Sequence, residues 1–90
     1  MILSEGHVQD FDQFWQTFST KGHEKRKEHG SKGSHVWRDA DDPNHVLIVF
    51  DWDEAGFKEL MADPEMQAIF KEAGLQGKPE LAEKAGELDA

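Results

Sequence analysis

Residues 35 to 52 constrain this chain most: they read as a β-hairpin whose second strand is apolar on both faces. The strands are joined at Asp41-Asp42-Pro43-Asn44, where Asp accepts from backbone donors, Pro presets φ and Asn tolerates the left-handed region. Antiparallel sheets commonly bury one face and leave the other wet, so a strand apolar on both sides requires two covers. Ninety residues hold enough helix for one of them. A ligand cavity, a second subunit or both would supply the other. With Ala40 opposite His45, Arg38 lies across from Leu47 and Val36 from Val49, while Trp37 meets Ile48 and His35 meets Phe50. This register predicts helices packed on Val36, Leu47 and Val49. It leaves His35, Trp37, Ile48, Phe50 and Trp52 as a cavity wall or subunit interface, with Asp39 at the turn end.

The flanking segments complete one domain over residues 1–90, small enough that a second chain would help its thin core. Ile2 to Val8 is a short strand diluted by Ser4-Glu5-Gly6. Asp10 caps a helix on which Phe11, Phe14, Trp15 and Phe18 recur at helical spacing, an aromatic stripe of the kind that builds a core. The stripe continues less cleanly through Gly22, Arg26 and His29 to a stop at Gly30, with a kink between Ser19 and Gly22. Arg26 on its apolar edge is expected to bridge to a carboxylate such as Asp51. Asp53 caps a short helix with Phe57, Leu60 and Met61 inward. Asp63-Pro64-Glu65 starts another, with an N-cap, Pro at the first position and an acidic first turn. Beyond Pro79, Leu81, Ala85 and Leu88 fit helical spacing while the topology favours a fourth strand, and the pattern leaves both open. The order β-α-β-β-α-(α)-β is that of a ferredoxin-like α+β sandwich with an antiparallel sheet.

A formal charge of −9 excludes nucleic acid as a partner, because that binding rests on clustered Lys and Arg neutralising phosphates. The one basic stretch, Lys21 to Lys32, is interrupted by Glu24 and Glu28 and reads as a solvated helix face. No run reaches the roughly 18 apolar residues of a membrane span, so no membrane partner is expected. Met1-Ile2-Leu3 is too short for a signal peptide and lacks a basic start. With no cysteine there is no disulfide framework or thiolate. A cytoplasmic protein is expected. His23 and His29 stand six residues apart, about 240° around a helix, so they cannot share a metal as an (i, i+4) pair does.

Several segments taken together resemble a known family. They are Asp10-Phe11-Asp12, Val36-Trp37-Arg38-Asp39 with Asp41-Asp42-Pro43-Asn44, Phe50-Asp51-Trp52, Asp63-Pro64-Glu65-Met66, and Ala73-Gly74-Leu75-Gln76-Gly77-Lys78-Pro79-Glu80. In order and spacing the chain resembles the dimeric α+β barrel superfamily, in particular its small antibiotic-biosynthesis-monooxygenase-like and cyclase-like domains. The resemblance implies a homodimer whose two sheets face each other around a small-molecule chamber. It also implies a hydrophobic aromatic ligand and either cofactor-independent oxygenation or cyclase/isomerase chemistry, with no cofactor and no metal. A non-catalytic ligand-binding module and a purely structural dimer are the alternatives. The chain has no Tyr and a single Asn, Asn44, which the turn uses, so an Asn–Trp–His haem-degrading set is not matched. His35 is the candidate for proton transfer, since its pKa class suits neutral pH, with Asp39 as its companion. His7, Trp37, Phe50 and Trp52 are the candidate ligand contacts. Each of these residues also has an ordinary packing or turn role open to it.

Overall fold

The computed structural model describes residues 1–90. Four strands, β1 (Ile2–Val8), β2 (Ser34–Arg38), β3 (His45–Phe50) and β4 (Leu75–Glu83), form one sheet in the order β2-β3-β1-β4. Every neighbouring pair is antiparallel. Helices α1 (Phe11–Thr17), α2 (His23–Glu28), α3 (Glu54–Ala62) and α4 (Met66–Glu72) complete the ferredoxin-like α+β fold. No helix is long and apolar enough to cross a membrane.

The first helix begins where the sequence predicts. Asp10 is extended and its carboxylate accepts from the Gln13 N–H at 3.0 Å, an N-cap worth about 1 kcal/mol. The expected kink is a π-helical segment, Phe18–Gly22, that joins α1 to α2. Two successive four-residue steps from Phe18 would drift about 80° around an ideal α-helix. The wider π turn absorbs that drift and keeps Gly22 and Arg26 on the inner side, where both are buried. Asp53 caps α3 by accepting from the Gly56 N–H at 2.7 Å. The last helix starts later than Asp63-Pro64-Glu65 suggests. Asp63 Oδ1 accepts from the Glu65 N–H at 2.9 Å in a turn, and α4 begins only at Met66. Asp63 Oδ2 is meanwhile taken by Lys25 Nζ at 2.9 Å and faces His29 Nε2 at 3.3 Å. Lys25 first, then the Glu65 N–H, hold the Asp63 carboxyl down to about 2, so the turn ties the end of α2 to α4.

The hairpin register differs by one residue from the expected one. Arg38 pairs with Val46, Val36 with Ile48 and Ser34 with Phe50. Two aspartates lengthen the loop. Asp39 Oδ1 accepts from the Asp41 N–H at 2.8 Å and Asp42 Oδ1 from the Asn44 N–H at 3.0 Å, so His45 closes on Asp39 rather than on Ala40. A one-residue slip in a structure of period two moves each side chain to the other face. Val46, Ile48 and Phe50, with Trp52 after them, are therefore buried under the helices. His45, Leu47 and Val49 face the other way, with His35 and Trp37 of β2 and with Leu3, Glu5 and His7 of β1. The expectation that Leu47 and Val49 meet the helices while Ile48, Phe50 and Trp52 form the opposite wall is thus reversed.

The core is Ile2, Val8, Phe14, Val46, Ile48, Phe50, Trp52, Phe57, Leu60, Met66 and Ala73. The tail resolves into strand rather than helix. β4 pairs along β1 from Val8↔Leu75 to Ile2↔Glu83, with an irregularity opposite Gly6 where Gly77 takes φ 76°.

Candidate functional site

Three polar side chains are buried in this molecule, Ser4, Thr17 and Arg26, and all three line one small cavity between the sheet and the helices. Its volume is about 90 Å³, and its remaining wall is largely apolar, with Phe14, Phe18, Ile48, Phe50 and Met66 among the lining residues. Arg26 has 8% of its surface exposed. Its Nη2 donates to the Phe18 carbonyl at 2.7 Å, and its Cζ lies 3.6 Å from the centre of the Phe18 ring. No carboxylate approaches it, so the bridge to Asp51 is not formed. Asp51 instead uses its backbone to pair with Lys32 and Gly33. Burial alone pulls the Arg26 pKa down to about 10, which leaves it a cation at neutral pH.

Gly22 makes the room for this guanidinium. A Cβ there would stand 2.9 Å from Arg26 Nη1 and 3.3 Å from the Thr17 carbonyl oxygen. The π segment therefore places a glycine where the arginine head must pass.

Arg26 and Phe18 also line an outer groove between α1–α2 and the edge strand β2. One stretch of it, about 540 Å³, is lined by Trp15, His23, Lys27, Lys32 and Ser34. A second, about 390 Å³, continues past Phe11, Val36 and Arg38 and shares Trp15, Phe18 and Ser34 with the first. Trp15 remains 46% exposed and stacks between Phe11 and Phe18, at 6.2 and 6.1 Å between ring centres. Arg38 lies over the Phe11 ring at 4.6 Å. Arg26 and Phe18 thus form the partition between an inner apolar cavity and an outer aromatic groove. Such a partition can bind a flat ring outside, admit something small inside, and set a fixed positive charge between the two.

The residues singled out from the sequence fall in three places. Phe50 lines the inner cavity. Trp52 lies behind it in the core, donating its indole N–H to the His29 carbonyl at 3.1 Å. His7, His35, Trp37 and Asp39 share the open face of the sheet. There His35 and Trp37 lie 6.1 Å apart, and Trp37 is 54% exposed. On that face His45 is held at both nitrogens, Nδ1 to Asp39 at 2.9 Å and Nε2 to Glu5 at 2.8 Å, and stacks on His7 at 4.6 Å. Both acceptors are carboxylates, so both ring nitrogens must donate. Asp39 first and Glu5 second therefore raise the His45 pKa, and His45 in turn lowers that of Asp39. The structure does not bring Phe50 or Trp52 together with His35, Trp37 and Asp39; the sheet separates them.

Sequence reasoning missed Arg26, Trp15 and the groove cations as site residues. A signal for Trp15 exists: on an ideal helix it stands at one edge of the aromatic stripe and Phe14 at the other, about 100° away, so one flat sheet covers one edge better. Arg26 is a cation on an apolar stripe, a feature that itself marks a site.

No family model matches the sequence, and no curated protein does. Solved structures do. SnoaB, a cofactor-independent oxygenase from Streptomyces nogalater, superposes with a TM-score of 0.74 at 16% identity, over 99% of this chain and 95% of its own. An antibiotic biosynthesis monooxygenase matches at 0.68 and 14%, over 96% and 97%. A proposed antibiotic biosynthesis monooxygenase from Deinococcus radiodurans matches at 0.68 and 19%, over 100% and 98%. From end to end, the chain has the ferredoxin-like α+β fold of the antibiotic-biosynthesis-monooxygenase-like proteins.

Proposed function

We propose that the protein works as a homodimer on a hydrophobic aromatic small molecule, as a cofactor-independent monooxygenase. The observation that carries this reading is Arg26, a buried cation with no carboxylate partner, set between an apolar cavity and an aromatic groove. Burying an unpaired charge is expensive and is retained where a ligand's charge completes it. A substrate with an acidic ring CH₂ beside a carbonyl loses a proton to water in the open groove and gives a carbanion, whose charge spreads onto the carbonyl oxygen. Arg26 would meet that oxygen in a low-dielectric, preorganised site, where such a charge acts most strongly. The carbanion then reduces dioxygen. The carbon gives up four electrons and becomes a carbonyl, one oxygen atom enters the product, and the other leaves as water.

Cavity size supports this division of labour. At about 90 Å³ the inner space is smaller than the roughly 150 Å³ cavity that takes benzene, so the ring belongs in the groove and dioxygen or a small substituent inside. Phe50 then contacts the ligand from the cavity wall, while Trp52 serves by holding that wall in place.

The pair His35 and Asp39, for proton transfer, and His7 and Trp37, for ligand contact, form a second reading. It requires a partner sheet closing over the open face, and the apolar Leu3, Trp37, Leu47 and Val49 favour such a cover. Oxygen uptake with a panel of aromatic quinols and anthrones tests the two. Arg26→Met should lower turnover at least a hundredfold, with His35→Ala close to wild type. The reverse result would move the chemistry to the open face, and no uptake by the wild-type protein across the panel would sink both.

A further inference from the structure

The chain has ten Lys and Arg residues against nineteen Asp and Glu. Lys21, Lys25, Lys58 and Lys84 each form an ion pair with a carboxylate. Arg26, Lys27, Lys32, Arg38, Lys71 and Lys78 form none, and the first four of these line the groove, whose wall holds no Asp or Glu. Helix α2 sorts its charges to achieve this. Glu24, Lys25 and Glu28 line the opposite side of the helix with Lys21 and Glu65, while Arg26 and Lys27 turn to the groove. In a protein of net charge −9 this concentration of unpaired cations makes a local positive field in a negative surround.

The groove floor adds a second, independent feature. Trp15, 46% exposed, offers aromatic surface beside the cations, and the 540 Å³ stretch is within the range of small-molecule sites. A long polyanion is disfavoured by the surrounding negative charge. A neutral ring would use the floor and leave the cations idle, and a simple inorganic anion would do the reverse.

We propose that this groove recognises an aromatic carboxylate, its ring laid against Trp15 and its carboxylate held by Lys27 and Lys32, with Arg26 behind them as the inner cation. The proposal deepens the functional reading above by naming the ligand class, and it rests on the Arg26 partition being a small-molecule site. It predicts binding, which can be measured apart from turnover.

The test uses the full chain at neutral pH with 2-naphthoate, which has ring and charge, and 2-naphthol, which has the same ring without the carboxylate. Calorimetry should give at least tenfold tighter binding of naphthoate, and raising the salt should weaken it. The double variant Lys27→Gln/Lys32→Gln changes only exposed side chains and should lose at least tenfold in naphthoate affinity with little change for naphthol. In NMR spectra the Trp15 indole N–H should shift on titration and that of Trp37 should not. Equal affinity for the two probes, an unchanged affinity in the double variant, or shifts confined to Trp37 would overturn the proposal. Naphthoate binding without oxygen uptake on any substrate would sink the oxygenase reading and leave the ligand class standing. Oxygen uptake with no preference for naphthoate would do the opposite.

Discussion

Arg26 is costly to the fold and useful only to a ligand, and the two roles can be separated. Its burial removes a guanidinium from water, and one carbonyl and one ring face are what it receives in return. Replacing a buried ion pair by apolar side chains of similar volume is often neutral or stabilising by about 1–4 kcal/mol, and a lone buried charge has no partner's attraction to lose. Arg26→Met should therefore melt at the wild-type temperature or above it while losing aromatic-anion binding; a fall of many degrees in a calorimetric scan would make Arg26 structural. Two glycines give a sharper contrast. At Gly22 the obstacle to a Cβ is mainly the far end of the Arg26 side chain, so Gly22→Ala should change stability by less than about 1 kcal/mol, helix propensity offsetting the contact, while it displaces the guanidinium from Phe18. At Gly56 a Cβ would fall 2.2 Å from Trp52 Nε1, on a buried indole already anchored to the His29 carbonyl. Gly56→Ala should cost about 1–3 kcal/mol in denaturant unfolding, the range for overpacked cores. Placing Arg26 on the apolar side of its helix was within reach of residue spacing. The absence of Asp51 as its partner was not, because that depends on where β3 ends in space.

The β2–β3 hairpin shows how far a local pattern goes. Both strands, the turn composition and the apolar content of β3 could be read directly, whereas the register could not. Whether five or four residues bridge the strands depends on which carboxylate captures which N–H, and Asp39 and Asp42 each make a bond that a count of turn residues does not foresee. The same Asp39 then holds His45, with Glu5 on the other nitrogen and His7 stacked above, and Gln76 of β4 paired beside His7. The sign of the pH dependence follows. The His45 pKa is raised in the folded protein, so its contribution to stability is full below its unfolded value near 6.5 and is lost as pH rises through the raised value. The Asp39 pKa is lowered, so its contribution is present above about 3.9 and is lost as pH falls through the depressed value. Histidine NMR titrations should give His45 a pKa above 6.5, and Asp39→Asn should bring it down; a His45 titrating at 6.5 in both proteins would contradict the pairing. The last strand was obscured for a different reason. β4 is an edge strand, and along it only Leu75 and Pro79 are half-buried, so little apolar alternation is required of it.

Across the whole molecule the sheet has one face under helices and one face open, and the open face carries Leu3, Trp37, Leu47 and Val49. Exposed apolar surface gathered on a sheet face marks an interaction site. A second copy apposed there would bury it, as the homodimer proposal requires. Sedimentation at micromolar concentration should give about twice the 10.2 kDa chain mass, and Leu47→Glu, at the centre of the face, should return the chain to monomer. A wild-type species of 10.2 kDa would refute the dimer. The need for two covers on β3, the α+β order, the caps at Asp10 and Asp53 and the net charge all follow from residue type and spacing, since these depend on neighbours a few positions apart. Which side of β3 receives which cover, and the convergence of Arg26, Trp15, Lys32 and Arg38 on one groove, arise only on folding. They depend on hydrogen bonds in one turn and on the angle between a helix and an edge strand, and a single residue of register exchanges the two faces of β3.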